Sequence, residues 1–346
     1  MTIRVGIIGT GLIGEDHGRK LVNAIRGSAV SAVCDVNRPR AEEVAAILGG
    51  ARVFDDPHAL IRSDAVDAVL VTSIGPTHAE FVLACIAAGK PVMCEKPLAP
   101  TAVECEEILR AEVGHGKRLV IVGYMRRYDP GYQQVKGALT DGRIGTALML
   151  HNIHRNATVG EAYTSFMTMT DSMIHEVDTT RWLLGEEITA VQIVPPKRTP
   201  LAFPHLQDPQ FAIFTTETGI LSTVEFFANC QYGYDVRCEL VGSTGTASMG
   251  NPTVASVVGA GTIAERVPAD WRERFGMAYT AELQAWISGL LHGEVVGPSA
   301  WEGYAATKVV EVGVEAVKSG ARLDIEYIER PALYAERPTT GEEERR

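Results

Sequence analysis

One stretch near the N-terminus constrains this chain more than any other. A short β-branched run over residues 3–8 ends in Gly9-Thr10-Gly11-Leu12-Ile13-Gly14, which is G-x-G-x-x-G. A helical pattern over 13–26 follows, and Asp35 closes the next apolar run, 21 residues beyond Gly14. The glycine pattern alone is weak. A strand before it, a helix after it and an acid at this distance make it specific. Gly9 permits the tight turn, Gly11 lets backbone approach a pyrophosphate, and Gly14 lets the helix pack closely on the strand. The helix start then offers free N–H groups and a partial positive charge to the phosphates. Asp35 accepts hydrogen bonds from an adenine-ribose diol and repels a 2′-phosphate. The expected cofactor is therefore NAD, with NADP less favoured. Its expected contacts are Gly9, Thr10, Gly11, Leu12, Ile13, Gly14, Asp35 and Val36. Arg38, just past the second strand, is the residue that argues for a 2′-phosphate.

The same alternation continues. Strand patterns at 29–34, 68–72, 91–94 and 119–123 are separated by helical patterns at 41–48, 78–88 and 101–113. Strands spaced by helices of this length form parallel βαβ units in a doubly wound sheet. Gly89 and Gly114 read as the stops of the last two helices. Beyond residue 145 the pattern changes to strands at 148–153, 188–194, 210–216, 220–229 and 236–241. Thr216-Glu217-Thr218-Gly219 is a hairpin signal between two of them. Helices are expected near 271–291 and 302–319. The fold class is α/β: a Rossmann domain over 1–124, then an α+β domain over 125–337 with an open, mainly antiparallel sheet. The polar tail 338–346 is expected to fray.

Composition narrows the partners. The 346 residues carry 43 acidic and 32 basic side chains, a net charge of −11, and no basic stripe with interleaved aromatics appears. Neither nucleic acid nor an anionic membrane is an expected partner. No apolar run is long enough to span a bilayer, and the glycine-broken N-terminus is not a signal peptide. The six cysteines form no Cys-x-x-Cys pair. They read as reduced core residues of a cytoplasmic protein.

The second half carries one polar stripe. At ~100° per residue, His175 lies about 40° from Asp171, and Asp178 about 20° to the other side, on a helix whose apolar stripe is Ile174, Val177 and Leu184. A histidine beside a carboxylate is a proton acceptor near neutral pH. On the strand over 147–156, alternation puts Asn152, His154 and Asn156 on one face. Lys96, followed by the rigid Pro97, ends the strand at 91–94 as a placed cation.

Cys94-Glu95-Lys96-Pro97-Leu98 after a dinucleotide fold resembles the glucose–fructose oxidoreductase / inositol dehydrogenase / rhizopine catabolism (Gfo/Idh/MocA) family. Gly123-Tyr124-Met125-Arg126-Arg127-Tyr128-Asp129, His154-Arg155-Asn156, the D-x-x-x-H-E-x-D run from Asp171 to Asp178, and Tyr232-Gly233-Tyr234-Asp235 are similar to its inositol branch. The resemblance spans roughly residues 1–335. It implies NAD-dependent oxidation of myo-inositol to 2-keto-myo-inositol by a homotetramer. The same chemistry on scyllo-inositol or glucose, and a non-catalytic NAD sensor, are the alternatives. The expected catalytic group is Lys96, Asp171 and His175. His175 serves as base fixed by Asp171, and Lys96 stabilises the alkoxide; the reverse assignment, Lys96 as base, stays open. Ser73, His78, Glu95 and Lys96 are expected along the cofactor cleft. For the cyclic polyol the resemblance implies Arg127, Asp178 and Tyr234 beside His154 and Asn156. No H-E-x-x-H triad appears, hydride transfer to NAD needs no metal, and none is expected.

Overall fold

The computed structural model describes residues 2–250 and 256–335. The short runs of the first half become strands: β1 (Ile3–Ile8), β2 (Ser28–Cys34), β3 (Arg52–Phe54), β4 (Ala68–Val71), β5 (Val92–Glu95) and β6 (Val120–Gly123). They lie parallel in the order β3-β2-β1-β4-β5-β6. Every residue of β4, β5 and β6 is buried, which is why these runs are continuously apolar rather than alternating. The helices α1 (Leu12–Asn23), α2 (Arg38–Ile47), α3 (Pro57–Arg62), α4 (His78–Ala87) and α5 (Ala102–His115) connect them. Strand order reverses between β1 and β4, and ligands of open parallel sheets bind at the C-terminal edge of such a point.

β3 and α3, three and six residues long, are too short to show a period in the sequence. A capping signal was present: Asp56 caps α3 through the N–H groups of His58 and Ala59, and Pro57 opens it. Gly114 does not end α5. The helix runs to His115 and stops at Gly116, whose φ of +85° is the left-handed cap. Gly89, at φ +66°, does terminate α4.

After α6 (Pro130–Thr140) the chain forms β7 (Ala147–Arg155), a six-residue π-helical turn (Thr168–Met173) and α7 (Ile174–Leu184). There follow β8 (Ile188–Val194), β9 (Gln210–Thr216), β10 (Leu221–Phe227), β11 (Asp235–Gly242) and β12 (Thr246–Met249). A small hairpin, β13 (Val257–Gly259) with β14 (Thr262–Ala264), precedes α8 (Trp271–Leu291), α9 (Ala300–Ser319) and β15 (Leu323–Asp324). The second sheet runs β12-β11-β7-β10-β9-β8-β15. Only the β7–β10 pair within it is parallel. The expected hairpin joins β9 to β10, with Gly219 at φ +89°. The tail 338–346 lies outside the described residues. No helix among those described is long and apolar enough to cross a membrane.

The two late helices return to the first sheet. Leu283, Trp286 and Ile287 of α8 share a buried cluster with Ile3, Val5 and Ile7 of β1 and Leu21 of α1. Trp301, Tyr304 and Val309 of α9 pack in the cluster that joins β6 and α5 to β8. Gly303 is needed there, because a Cβ would stand 2.7 Å from Leu98. The two sheets are thereby locked together, with a cleft between the C-terminal edge of one and the end of β7 in the other.

Candidate active site

The glycine loop leaves β1 with Gly9 at φ +95°, where a Cβ would lie 2.4 Å from the Ser73 nitrogen. A Cβ on Gly14 would lie 2.0 Å from the Gly9 carbonyl oxygen. Gly11 differs: nothing stands within 4 Å of where its Cβ would be, so the outer face of the loop is open. Gly11 is also the N-cap of α1, and no side chain caps that helix. Asp35 ties the loop to the end of β2. Its carboxylate accepts from the Thr10 N–H and Oγ1–H at 2.6 and 3.0 Å and from the Asn37 N–H at 2.8 Å. Leu12, Val36 and Ile74 are bare apolar side chains. An open amide cradle with an acid beside it and uncovered apolar surfaces fits a dinucleotide. Arg38 is engaged by Glu42 and Asp55. Arg40, which the sequence reading did not single out, reaches the loop and donates to the Thr10 carbonyl at 3.0 Å. Glu15 and Glu43 offset its charge.

A cavity of about 630 Å³ continues from this loop into the cleft. Ile13, Ser73, His78, Glu95, Lys96, His154, Asn156, Asp171, His175 and Tyr234 all line it. Lys96 comes from the end of β5, Asp171 from the π-helical turn and His175 from the first turn of α7. The ammonium of Lys96 donates to the Asp171 carboxylate and to the Asp171 backbone carbonyl, both at 2.9 Å. That charge holds the Asp171 carboxyl below the usual carboxylate range.

Here the expected pairing is corrected. Asp171 serves Lys96, while Nδ1 of His175 is buried without a hydrogen-bond partner among the described residues. The π-helical turn moves Asp171 off the straight helical stripe that the spacing assumed. Burial first, and then the charges of Lys96, Arg126 and His154, push His175 well below the ordinary imidazole range. Its ring is therefore neutral at neutral pH.

Arg127 and Asp178 were expected to face the polyol, yet neither lines the cavity. They face each other in a two-pronged ion pair, with Nη2 2.5 Å and Nε 3.0 Å from the carboxylate oxygens. Asp178 is the third member of the expected stripe, but it points into the protein. Glu95 and His78 line the cavity with their polar atoms already engaged. Glu95 meets Nε2 of the wholly buried His17 at 2.8 Å and accepts from the Lys96 N–H at 3.1 Å. The His78 ring bridges the carbonyls of Pro97 and Ser73 at 2.7 and 2.9 Å. Both therefore hold the segment that carries Lys96. Trp271 and Tyr279 of α8 also line the cavity. Their eight-residue spacing on a long helix, two turns along one face, was the available signal.

Two domain models of one family fit the chain. "Oxidoreductase family, NAD-binding Rossmann fold" matches residues 3–124, and "Oxidoreductase family, C-terminal alpha/beta domain" matches 136–325. The chain belongs to the Gfo/Idh/MocA oxidoreductase family. It is 50% identical over 335 residues to inositol 2-dehydrogenase of Serratia proteamaculans, covering 96% of this chain and 99% of that one. It is 50% identical over 334 residues to inositol 2-dehydrogenase 3 of Saccharopolyspora erythraea, covering 96% and 98%. A crystal structure with the same fold is that of myo-inositol dehydrogenase from Lactobacillus casei in complex with NAD(H) and myo-inositol. Its TM-score is 0.94 at 34% identity, covering 97% of this chain and all of that one.

Proposed function

We propose that this Gfo/Idh/MocA member oxidises myo-inositol to 2-keto-myo-inositol (scyllo-inosose), with NAD as acceptor. The observation that carries the reading is the convergence of Lys96, Asp171 and His175 with His154, Asn156 and Tyr234 on one cavity beside the glycine loop. The names and near-complete coverage of the relatives support the substrate class. NAD, when bound, supplies the acceptor for the hydride leaving carbon. The side chains of this protein hold the alcohol and manage its proton. Two roles divide by charge. Lys96, kept in place by Asp171, presents an ammonium to the oxygen as it loses its proton. His175, neutral, has a lone pair to receive that proton. His154, Asn156 and Tyr234 hydrogen-bond the remaining hydroxyls, as a ligand made only of hydroxyls requires.

The test is a matrix of polyols against NAD and NADP, read by reduced-cofactor absorbance. Myo-inositol with NAD gives the highest kcat/KM. Absence of turnover on every inositol with either cofactor would overturn the reading. NAD is favoured over NADP because a carboxylate at the end of β2, that of Asp35, would repel a 2′-phosphate.

The enzyme is further inferred to be a homotetramer. Phe211, Ile213 and Phe227 are half-buried and Leu221 is exposed, on the face of the second sheet opposite the buried Ala212, Phe214, Val224 and Phe226. A reducing compartment, the cytoplasm, suits its six unpaired thiols, five of them buried.

A further inference from the structure

Behind the cavity wall lies an ionic pair that the alcohol chemistry above does not use. Arg126 and Glu176 are 1% and 0% exposed, and Nη1 of the arginine donates to a carboxylate oxygen of the glutamate. His154 turns its Nδ1 edge to this pair. Both Glu176 oxygens lie 3.1 Å from Nδ1, and Nη2 of Arg126 lies 3.2 Å from it. The ring is gripped edge-on by Phe226 and Tyr234, with centroids 5.2 and 5.7 Å away. Nε2, on the opposite edge, has no hydrogen-bond partner among the described residues, and His154 lines the cavity.

Nδ1 can hold a proton for the carboxylate or a lone pair for the guanidinium, but not both. Burial acts to raise the Glu176 carboxyl, yet the charge of Arg126, with His154, brings it down to about 2. Glu176 is therefore an anion at neutral pH. A lone pair on Nδ1 would face two anionic oxygens, whereas a proton there faces only one Nη2. The proton belongs on Nδ1.

We propose that Glu176 is a positioning residue that fixes His154 as a hydrogen-bond acceptor, so that its Nε2 lone pair receives a hydroxyl of the polyol. This deepens the inositol reading and rests on it for the owner of that hydroxyl. A group at that point with oxygen but no proton, such as a methyl ether, meets lone pair with lone pair and is rejected.

The tautomer is read by solid-state 15N NMR of histidine-labelled protein, with the His154 signal identified by difference from His154→Gln. The wild type shows Nδ1 protonated and Nε2 bare. Glu176→Gln, in which the amide can donate to Nδ1, shifts the ring toward the Nε2–H form. It raises KM for myo-inositol about tenfold with kcat within about threefold. The dissociation constant of NAD stays unchanged. A merely structural role for Glu176 would leave the tautomer alone. An Nε2–H signal in wild type overturns the proposal, as does a Glu176→Gln protein with unaltered tautomer and KM. The wild-type spectrum decides even if that variant fails to fold. It also needs no substrate, so a protein inert toward inositols would sink the previous reading while the tautomer is still scored.

Discussion

At the scale of single residues, the proposed chemistry rests on how charge is shared among Lys96, Asp171 and His175. The ammonium and the carboxylate are paired at 2.9 Å, and the imidazole is left uncharged in a buried position beside them. Replacing Lys96 with Met removes the positive charge offered to the developing alkoxide and should lower kcat by about 10²- to 10³-fold. The pH profile tests the same arrangement. In the proposed mechanism neutral His175 is the active form, and its basicity is depressed by burial and then by Lys96, Arg126 and His154. Activity should be lost only on acidification below the ordinary imidazole value of about 6.5. In Lys96→Met one depressing cation is gone, so the acid limb of kcat/KM should move to higher pH. A limb unmoved by that substitution would disconnect the two residues. The residues of this group were legible in the sequence, but their pairing was not. Spacing puts Asp171 next to His175 on an ideal helix, and only the π-helical turn hands it to Lys96.

At the scale of elements, α1 depends on its close approach to β1, and α8 carries an uncompensated acid. Gly14→Ala places a methyl group 2.0 Å from a backbone oxygen, which cannot rotate aside. It should destabilise the protein by about 1–3 kcal/mol in urea titrations and weaken NAD binding as the loop is displaced. Glu282 is fully buried, and neither carboxylate oxygen has a hydrogen-bond partner among the described residues. Burial, with Glu95 and Asp178 adding to it, raises its pKa well above that of a free glutamate. Between the unfolded and folded values the native state binds more protons than the unfolded one. Its contribution to stability is therefore complete below the unfolded pKa of about 4.3 and is lost as pH rises through the folded value. Glu282→Gln should narrow or reverse the stability gap to wild type as pH is raised from 6 to 9, measured as urea midpoints at each pH. A gap that stays constant across that range would mean that Glu282 is already ionised in the folded protein at pH 6. Most elements could be read from periodicity, because the buried parallel strands are uninterrupted apolar runs flanked by capped helices. The misses were local. Three-residue β3 is too short to show a period, and Gly114 is tolerated inside α5 because Gly116 supplies the left-handed cap.

At the scale of the whole molecule, the late helices α8 and α9 make one body of two sheets. Trp286 packs with the strands of the first sheet, and Trp271 and Tyr279 of the same helix line the cavity. The second sheet keeps a half-apolar outer face. Light scattering at micromolar concentration should show four chains per particle, and a monomer alone would refute the tetramer. From the sequence by itself came the dinucleotide cradle, the two successive sheet types and the candidates Lys96, Asp171 and His175, which meet on one cavity. Each of these is written in local spacing: glycine turn geometry, the periods of strand and helix, and a short motif. Tertiary structure alone decided that Asp171 belongs to Lys96, that Arg127 and Asp178 satisfy each other inside the protein, and that Glu176 stands behind His154. These are contacts between residues 22 to 75 positions apart in the chain, set by packing that brings separate elements together. Local periodicity carries no record of such distances.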